Sequence, residues 1–276
     1  MKLGCSTYSF LRPLRAGELT LPELFQVVAE AGGEGIELLD VLPHEPEEIV
    51  KAQDQTGISI CVFSVTNDFV GDYETGMNKV RHGIAMCELF GAKILRTFAG
   101  NVPADGTPDM FSEYQEQIIR GLVETCQLAK DAGIHVALEN HGRLAGKASQ
   151  VSFLLSETNN RLGFTGITAN PDFGNFLLTD EDPVEAVRSV GLGAVMAHIK
   201  DFADTDSEAV FTTDSGRKLN GAVVGEGAVD QVGCLLALKA HGFDGWVNLE
   251  YECTEDPMTG VPRALRNAKK LILEHQ

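Results

Sequence analysis

The chain has 276 residues, 43% of them hydrophobic and 22% charged. That is enough to bury a large core without disulfide or metal staples, and it excludes disordered, collagen-like and coiled-coil classes. Twenty-two Lys and Arg against 40 Asp and Glu leave a net charge of -18, a field that repels phosphate backbones and anionic membranes. The expected partner is therefore a small solute, with no nucleic acid and no membrane.

The opening MKLGCSTYSF carries no long apolar stretch, and no window reaches about 18 uncharged apolar residues, so a cytoplasmic protein is expected. Short apolar runs alternate with amphipathic stretches along the chain. Strands are predicted over 3–8, 35–39, 58–65, 92–98, 134–140, 163–170, 194–200 and 245–251. Between them the helical period returns. Leu21, Leu24, Phe25 and Val28 share a face of the first helix. Phe111, Tyr114, Ile118, Leu122, Cys126 and Ala129 line the longest, and Val261, Leu265, Ala268 and Ile272 the last.

Several helices run into a glycine just before the next strand, at Gly32, Gly57, Gly91, Gly133 and Gly242, where a left-handed residue ends the helix. Eight such units of about 30 residues fill the chain. The prediction is an α/β protein, a single (β/α)8 TIM barrel over 1–276, with its active site at the C-terminal ends of the strands. Counting elements does not prove closure, so a doubly wound open sheet is the alternative. The six cysteines, without a CxxC pair, read as reduced thiols. Only residues 201–227 break the rhythm. This polar stretch is expected to be a lid or substrate-contacting loop, with a mobile insertion as the competing reading.

Ionisable residues end the last four strands: Glu139 in IHVALENH, Asp172 in GFTGITANPD, His198 in AVMAHIKD and Glu250 in GWVNLEYE. Taken singly, a carboxylate at a strand end is a solvated cap and a histidine after an apolar run is a core residue. Four on consecutive strands converge at one mouth of a barrel. Three carboxylates cannot stay ionised together without a positive charge among them, which points to one divalent metal ion. Three oxygens and one nitrogen suit Mn, Mg or Co, with Zn as a further option.

These strings resemble a known family. LGCSTYSF at the start, GIEL at 35–38, LEN at 138–140, NPDFGN, HIKD at 198–201, and VVGEG followed by Val229-Asp230 resemble the xylose isomerase-like barrels of the sugar phosphate isomerase/epimerase group. That group includes ketose 3-epimerases, inosose dehydratases and hydroxypyruvate isomerases, and more distantly endonuclease IV. The resemblance implies that Glu139, Asp172, His198 and Glu250 bind the metal and that Glu139 and Glu250 also serve as acid and base. It also implies a homodimer paired through barrel faces. One position departs from the pattern: Asn175 stands where many relatives have a histidine. With no Asp-x-His pair in the chain and the acidic charge, a nuclease is excluded.

The expected activity is a divalent-metal-dependent sugar or sugar phosphate isomerase or epimerase. It would abstract a proton next to a polarised carbonyl and pass through an enediolate. Strands five and eight stand roughly 135° apart round a barrel, which lets Glu139 and Glu250 face opposite sides of such a plane. The alternatives are a metal-dependent dehydratase on a cyclic polyol, keto sugar or hydroxy-keto acid, and a catalytically silent binding barrel. His141, Lys200, Asn175 and Glu37 are candidate substrate contacts. Arg96 and Arg217 are candidate clamps for a phosphate or carboxylate. Gly225-Glu226-Gly227 lacks the context of a phosphate loop, and Trp246 reads as barrel packing.

Overall fold

The computed structural model describes residues 1–41, 45–103 and 110–275. Strand β1 (Lys2–Ser6) leads through a 3-10 turn (Thr7–Phe10) into the short helix α1 (Leu11–Ala16), and α2 (Leu21–Glu30) follows. Then come β2 (Gly35–Leu39), α3 (Pro46–Thr56), β3 (Ser59–Ser64), α4 (Tyr73–Phe90), β4 (Ile94–Thr97) and α5 (Phe111–Asp131). The next unit holds β5 (His135–Glu139), α6 (Ala148–Leu162), β6 (Ile167–Asn170), α7 (Phe173–Leu178) and α8 (Pro183–Val190). After β7 (Met196–Ile199) the chain makes β8 (Asp201–Asp204), β9 (Phe211–Thr212) and β10 (Lys218–Ala222). It ends with α9 (Gln231–Ala240), β11 (Trp246–Leu249) and α10 (Pro257–His275).

Eight strands form one parallel sheet in the order β6-β5-β4-β3-β2-β1-β11-β7, matching the eight predicted runs. Between β6 and β7 no full ladder forms. A single parallel bridge joins Asp172 to His198, and the His198 N–H donates to the Pro171 carbonyl at 3.0 Å. The sheet is thus a nearly closed barrel, and its last seam is made by two of the residues singled out as ligands. The helix-ending glycines behave as expected, Gly57 and Gly91 being left-handed caps with φ of 72° and 77°, and Gly163, read as the start of a strand, is a further one at 71°.

Inside the barrel, below the strand ends, Cys61, Val62, Ile94, Ala137 and Met196 form a dry floor with Trp246 against it. Two glycines make that floor possible. A Cβ on Gly4 would overlap the Asn248 side-chain oxygen, and one on Gly35 would lie 2.7 Å from the Trp246 ring. The β2–β3 register slips between Ile36 and Glu37, leaving Cys61 as the extra residue. The slip brings Ser64 to Glu37, where its hydroxyl donates to the carboxylate at 2.5 Å.

Residues 201–227, expected as a lid or substrate-contacting loop, hold a three-stranded antiparallel sheet in the order β8-β10-β9. The physical reason is a short apolar alternation. Phe202 and Leu219 are fully buried, and the Phe202 and Phe211 rings stack edge to face at 4.9 Å. Asp201 organises the far end of the insertion. Its carboxylate accepts from the N–H groups of Gly225, Gly227 and Val229 at 2.9, 3.0 and 3.1 Å. The glycine-rich turn therefore wraps a protein carboxylate.

Candidate metal centre

Glu139 closes β5, Asp172 caps α7, His198 lies on β7 and Glu250 follows β11 directly. All four are buried, and one ligand atom from each lies within 4.8 Å of the others. His198 Nδ1 stands 3.5 Å from a Glu139 oxygen, 3.5 Å from Asp172 Oδ2 and 3.9 Å from a Glu250 oxygen. Ligands on one ion with bonds of about 2.0–2.2 Å stand roughly 3–4 Å apart, so small side-chain shifts would close the set on a cation.

Local chemistry aims these atoms. His198 Nε2 donates to Glu37 Oε2 at 2.8 Å, which leaves Nδ1 facing the carboxylates. The Asn175 N–H donates to Asp172 Oδ1 at 2.8 Å, and the Asp172 N–H donates to the Asn140 side chain at 2.6 Å. Asp172 Oδ2 is left turned inward. His198 Nδ1 is buried without a hydrogen-bond partner among the described residues, and Asp172 Oδ2 is buried with the Lys200 ammonium near it, at 3.2 Å. Two inward-facing ligand atoms of that kind fit a cation, and the donor set is hard enough for Mn, Mg or Co and acceptable to Zn.

The electrostatics lead to the same fit. Burial, with Glu250 and Asp172 nearby, pushes Glu139 up to about 8 despite Arg96 and His198. Burial also raises Glu250. For Asp172, burial is outweighed by Lys200, His198 and the Asn175 N–H, which hold it down at about 2. Glu37 is held at about 2 in spite of burial by His198, Arg96 and Ser64. The His198 imidazole, against burial, is raised well above its ordinary value by Glu37, Glu139 and Glu250. Without a metal the ring keeps a proton, which a cation would replace.

The other predicted contacts fall into different places. His141, Lys200, Asn175 and Arg96 line a cavity of about 390 Å³ together with Glu139 and Glu250. Lys200 Nζ reaches Asp172 at 3.2 Å, Glu252 at 3.1 Å and Glu250. Asn175 gives its amide protons to Glu139 at 3.3 Å and to the Asn140 carbonyl at 2.9 Å, and it accepts from Lys200 at 3.2 Å. It stands on the cavity wall with its amide already engaged inside the protein. His141 stacks on Phe98 at 4.7 Å, and the Arg96 guanidinium lies 4.1 Å from that ring on its way to Glu37 and Glu139.

Two candidates need correction. Glu37 is fully buried behind His198, with both oxygens taken by Ser64, Asn248 and the imidazole, so it holds the ring and does not line the cavity. Arg217 makes a bidentate pair with Asp204 at 2.6 and 2.7 Å on the insertion and does not line the cavity. Trp246 packs on the barrel floor as expected. Among cavity residues not foreseen, Glu252 shares strand parity with Glu250, a signal the sequence did carry. Tyr8, Arg15, Phe98 and Phe211 also line the cavity. Arg15 and Phe211 reach the mouth from segments far apart in the chain, for which the sequence holds no local signal.

Comparison with known proteins follows this geometry. Inosose dehydratase of Geobacillus thermodenitrificans is 24% identical over 295 residues, covering 95% of this chain and 92% of that protein. An uncharacterized protein of Methanocaldococcus jannaschii is 25% identical over 155 residues, 54% of this chain and about half (49%) of its own length. The IolI protein, crystallised with a zinc atom, shares the fold with a TM-score of 0.75 at 19% identity, covering 100% of this chain and 99% of that one. The probable 3-DHS dehydratase AsbF of Bacillus anthracis has a TM-score of 0.74 at 20% identity over 100% of both chains. L-ribulose 3-epimerase reaches 0.74 at 16% identity, covering 100% of this chain and 96% of that one. The family model for xylose isomerase-like TIM barrels matches residues 25–271, and the chain belongs to that family.

Proposed function

We propose that this protein is a divalent-metal-dependent sugar or sugar phosphate isomerase or epimerase that works through an enediolate. The observation that carries the reading is the placement of Glu139 and Glu250. Both line one cavity, on strands that flank those bearing Asp172 and His198. The ion held by the four residues would polarise a substrate carbonyl and acidify the neighbouring C–H. One glutamate takes that proton, and the C–H electron pair moves toward the carbonyl to give a planar enediolate. Return of a proton by the other glutamate to the opposite face inverts the carbon. Arg96, behind Glu139, and Lys200, beside Glu250, hold the two carboxylates in place.

A dehydratase is the second reading, favoured by Lys200. Its ammonium lies between Glu250 and Glu252 at the cavity wall, where it would supply the proton with which a β-hydroxyl departs as water. The full-length relative being an inosose dehydratase supports the same alternative.

The deciding experiment is NMR in D2O with metal-loaded protein and a panel of ketoses, inososes and keto acids. Deuterium entering beside a carbonyl with no change of mass otherwise, and lost in Glu250→Gln, is the expected result. Loss of water to an absorbing enone would favour the dehydratase. Absence of exchange across the panel, from protein shown to hold its metal, would overturn the enediolate mechanism.

A further inference from the structure

The fixed cations lining the ligand cavity are Arg15, Arg96 and Lys200. Two of them are already matched. Arg96 lies against Glu37 and Glu139, and Lys200 against Asp172, Glu250 and Glu252. Arg15 differs: its side chain forms no hydrogen bond or ion pair among the described residues, in a chain of net charge -18. Three residues earlier on the same helix, Arg12 is tied to the carbonyls of Cys253, Thr254 and Glu255. That contact anchors α1 to the segment after β11, beside the cleft of about 300 Å³ that Arg15 and Glu252 share with the ligand cavity.

We infer that Arg15 is an anion subsite: the substrate carries a carboxylate or phosphate group at the end remote from the reacting carbonyl. At the candidate metal centre the open positions of the proposed ion are taken by the reacting carbonyl and hydroxyl, and Arg96 and Lys200 are already paired with carboxylates there. Lys200 cannot receive it without giving up its carboxylates. The anion therefore turns outward, to Arg15, the cavity cation with no carboxylate partner among the described residues. A guanidinium suits this task because it takes two oxygens of either group at once. The inference rests on this cavity being the substrate site, as proposed above.

Binding of unreactive polyols separates the two claims. Affinities of glucitol, gluconate and glucitol 6-phosphate are measured by ligand-observed NMR on the Mg2+-loaded protein, on Arg15→Gln and on Arg15→Lys. At least one anionic ligand is expected to bind about ten-fold or more tighter than glucitol, and the tighter anion names the group. In Arg15→Gln that ratio is expected to collapse toward one, while Arg15→Lys keeps part of it. Circular dichroism checks that each variant is folded. Equal binding of all three by the parent protein, binding of none, or an anion preference that survives in Arg15→Gln overturns the subsite. An Arg15-dependent preference without deuterium exchange on any ketose upholds the subsite and overturns the enediolate reading alone.

Discussion

His198 gives its Nε2 proton to Glu37 at 2.8 Å, and this contact determines which ring nitrogen faces Glu139, Asp172 and Glu250. A neutral imidazole has one donor and one acceptor nitrogen, so fixing the donor fixes the ligand atom. Glu37 itself is held by the Ser64 hydroxyl and the Asn248 amide, and Arg96 lies 3.5 Å away. Replacing Glu37 by Gln keeps the size and removes the charge. Metal affinity is expected to fall by about 10–100-fold with the barrel still folded, as measured by competition with a chelating dye. Unchanged affinity would mean that the imidazole needs no carboxylate behind it.

Proton linkage gives the metal a defined pH dependence. Glu139, pushed up to about 8, takes up a proton in the metal-free fold that the unfolded chain lacks above its ordinary value of 4.5. Between those values the folded state binds more protons than the unfolded one, so stability of the metal-free protein falls as pH rises through that window. Asp172 and Glu37, each held at about 2, act oppositely: their stabilising share is present above their ordinary values and is lost as pH falls toward 2. Metal binding must displace the Glu139 proton and the one that His198 keeps, so the gain in Tm from added metal should grow from about pH 5 to pH 8. Titration calorimetry in buffers of different ionisation enthalpy should show proton release. A metal-induced shift flat across this range would show that Glu139 is already ionised.

The sequence made the convergence of Glu139, Asp172, His198 and Glu250 legible because each stands at the end of an apolar run, and a parallel barrel brings such ends to one rim. Parity along a strand tells inside from outside but not which atom a side chain meets. Glu37 therefore looked like a substrate contact, although it faces the barrel interior at a register slip beside Cys61. Arg217 was misread for a related reason. Its partner Asp204 lies thirteen residues back on β8, and the apolar residues Phe202, Phe211 and Leu219 of the insertion are too widely spaced to reveal which strands pair. Arg15 and Phe211 reach the cavity only through tertiary packing, Arg15 on a helix anchored to the other end of the chain and Phe211 through its stack on Phe202.

The barrel floor should tolerate no side chain at Gly4. A methyl group there would overlap Asn248, whose amide holds Glu37 at 3.0 Å, and would press on Cys61 Sγ at 3.3 Å. Gly4→Ala is expected to cost about 1–3 kcal/mol in urea unfolding, the usual range for overpacking a core. Metal affinity should weaken with it, because moving Asn248 loosens Glu37 and hence His198. Stability loss with full metal affinity would uncouple the floor from the ligand set.

Asp201 gives the last test, away from the metal. Its carboxylate accepts from Phe202 at 2.9 Å as well as from Gly225, Gly227 and Val229, joining the start of the insertion to its end. Burial nonetheless raises its pKa, against these four donors, so the carboxylate is stabilised by hydrogen bonds less than it is penalised by lost water. Asp201→Ala leaves four N–H groups without this acceptor, at about 1–3 kcal/mol for each one that water cannot reach; those of Phe202 and Val229 are buried, whereas Gly225 and Gly227 are exposed. Amide hydrogen exchange over 225–229 should accelerate well beyond that of β1 or β5. Because β8 and β10 carry the support for Phe211, polyol affinity should also drop even though Asp201 touches no ligand atom. Faster exchange confined to 225–229, with polyol binding intact, would show that the small sheet holds Phe211 over the cavity without help from Asp201.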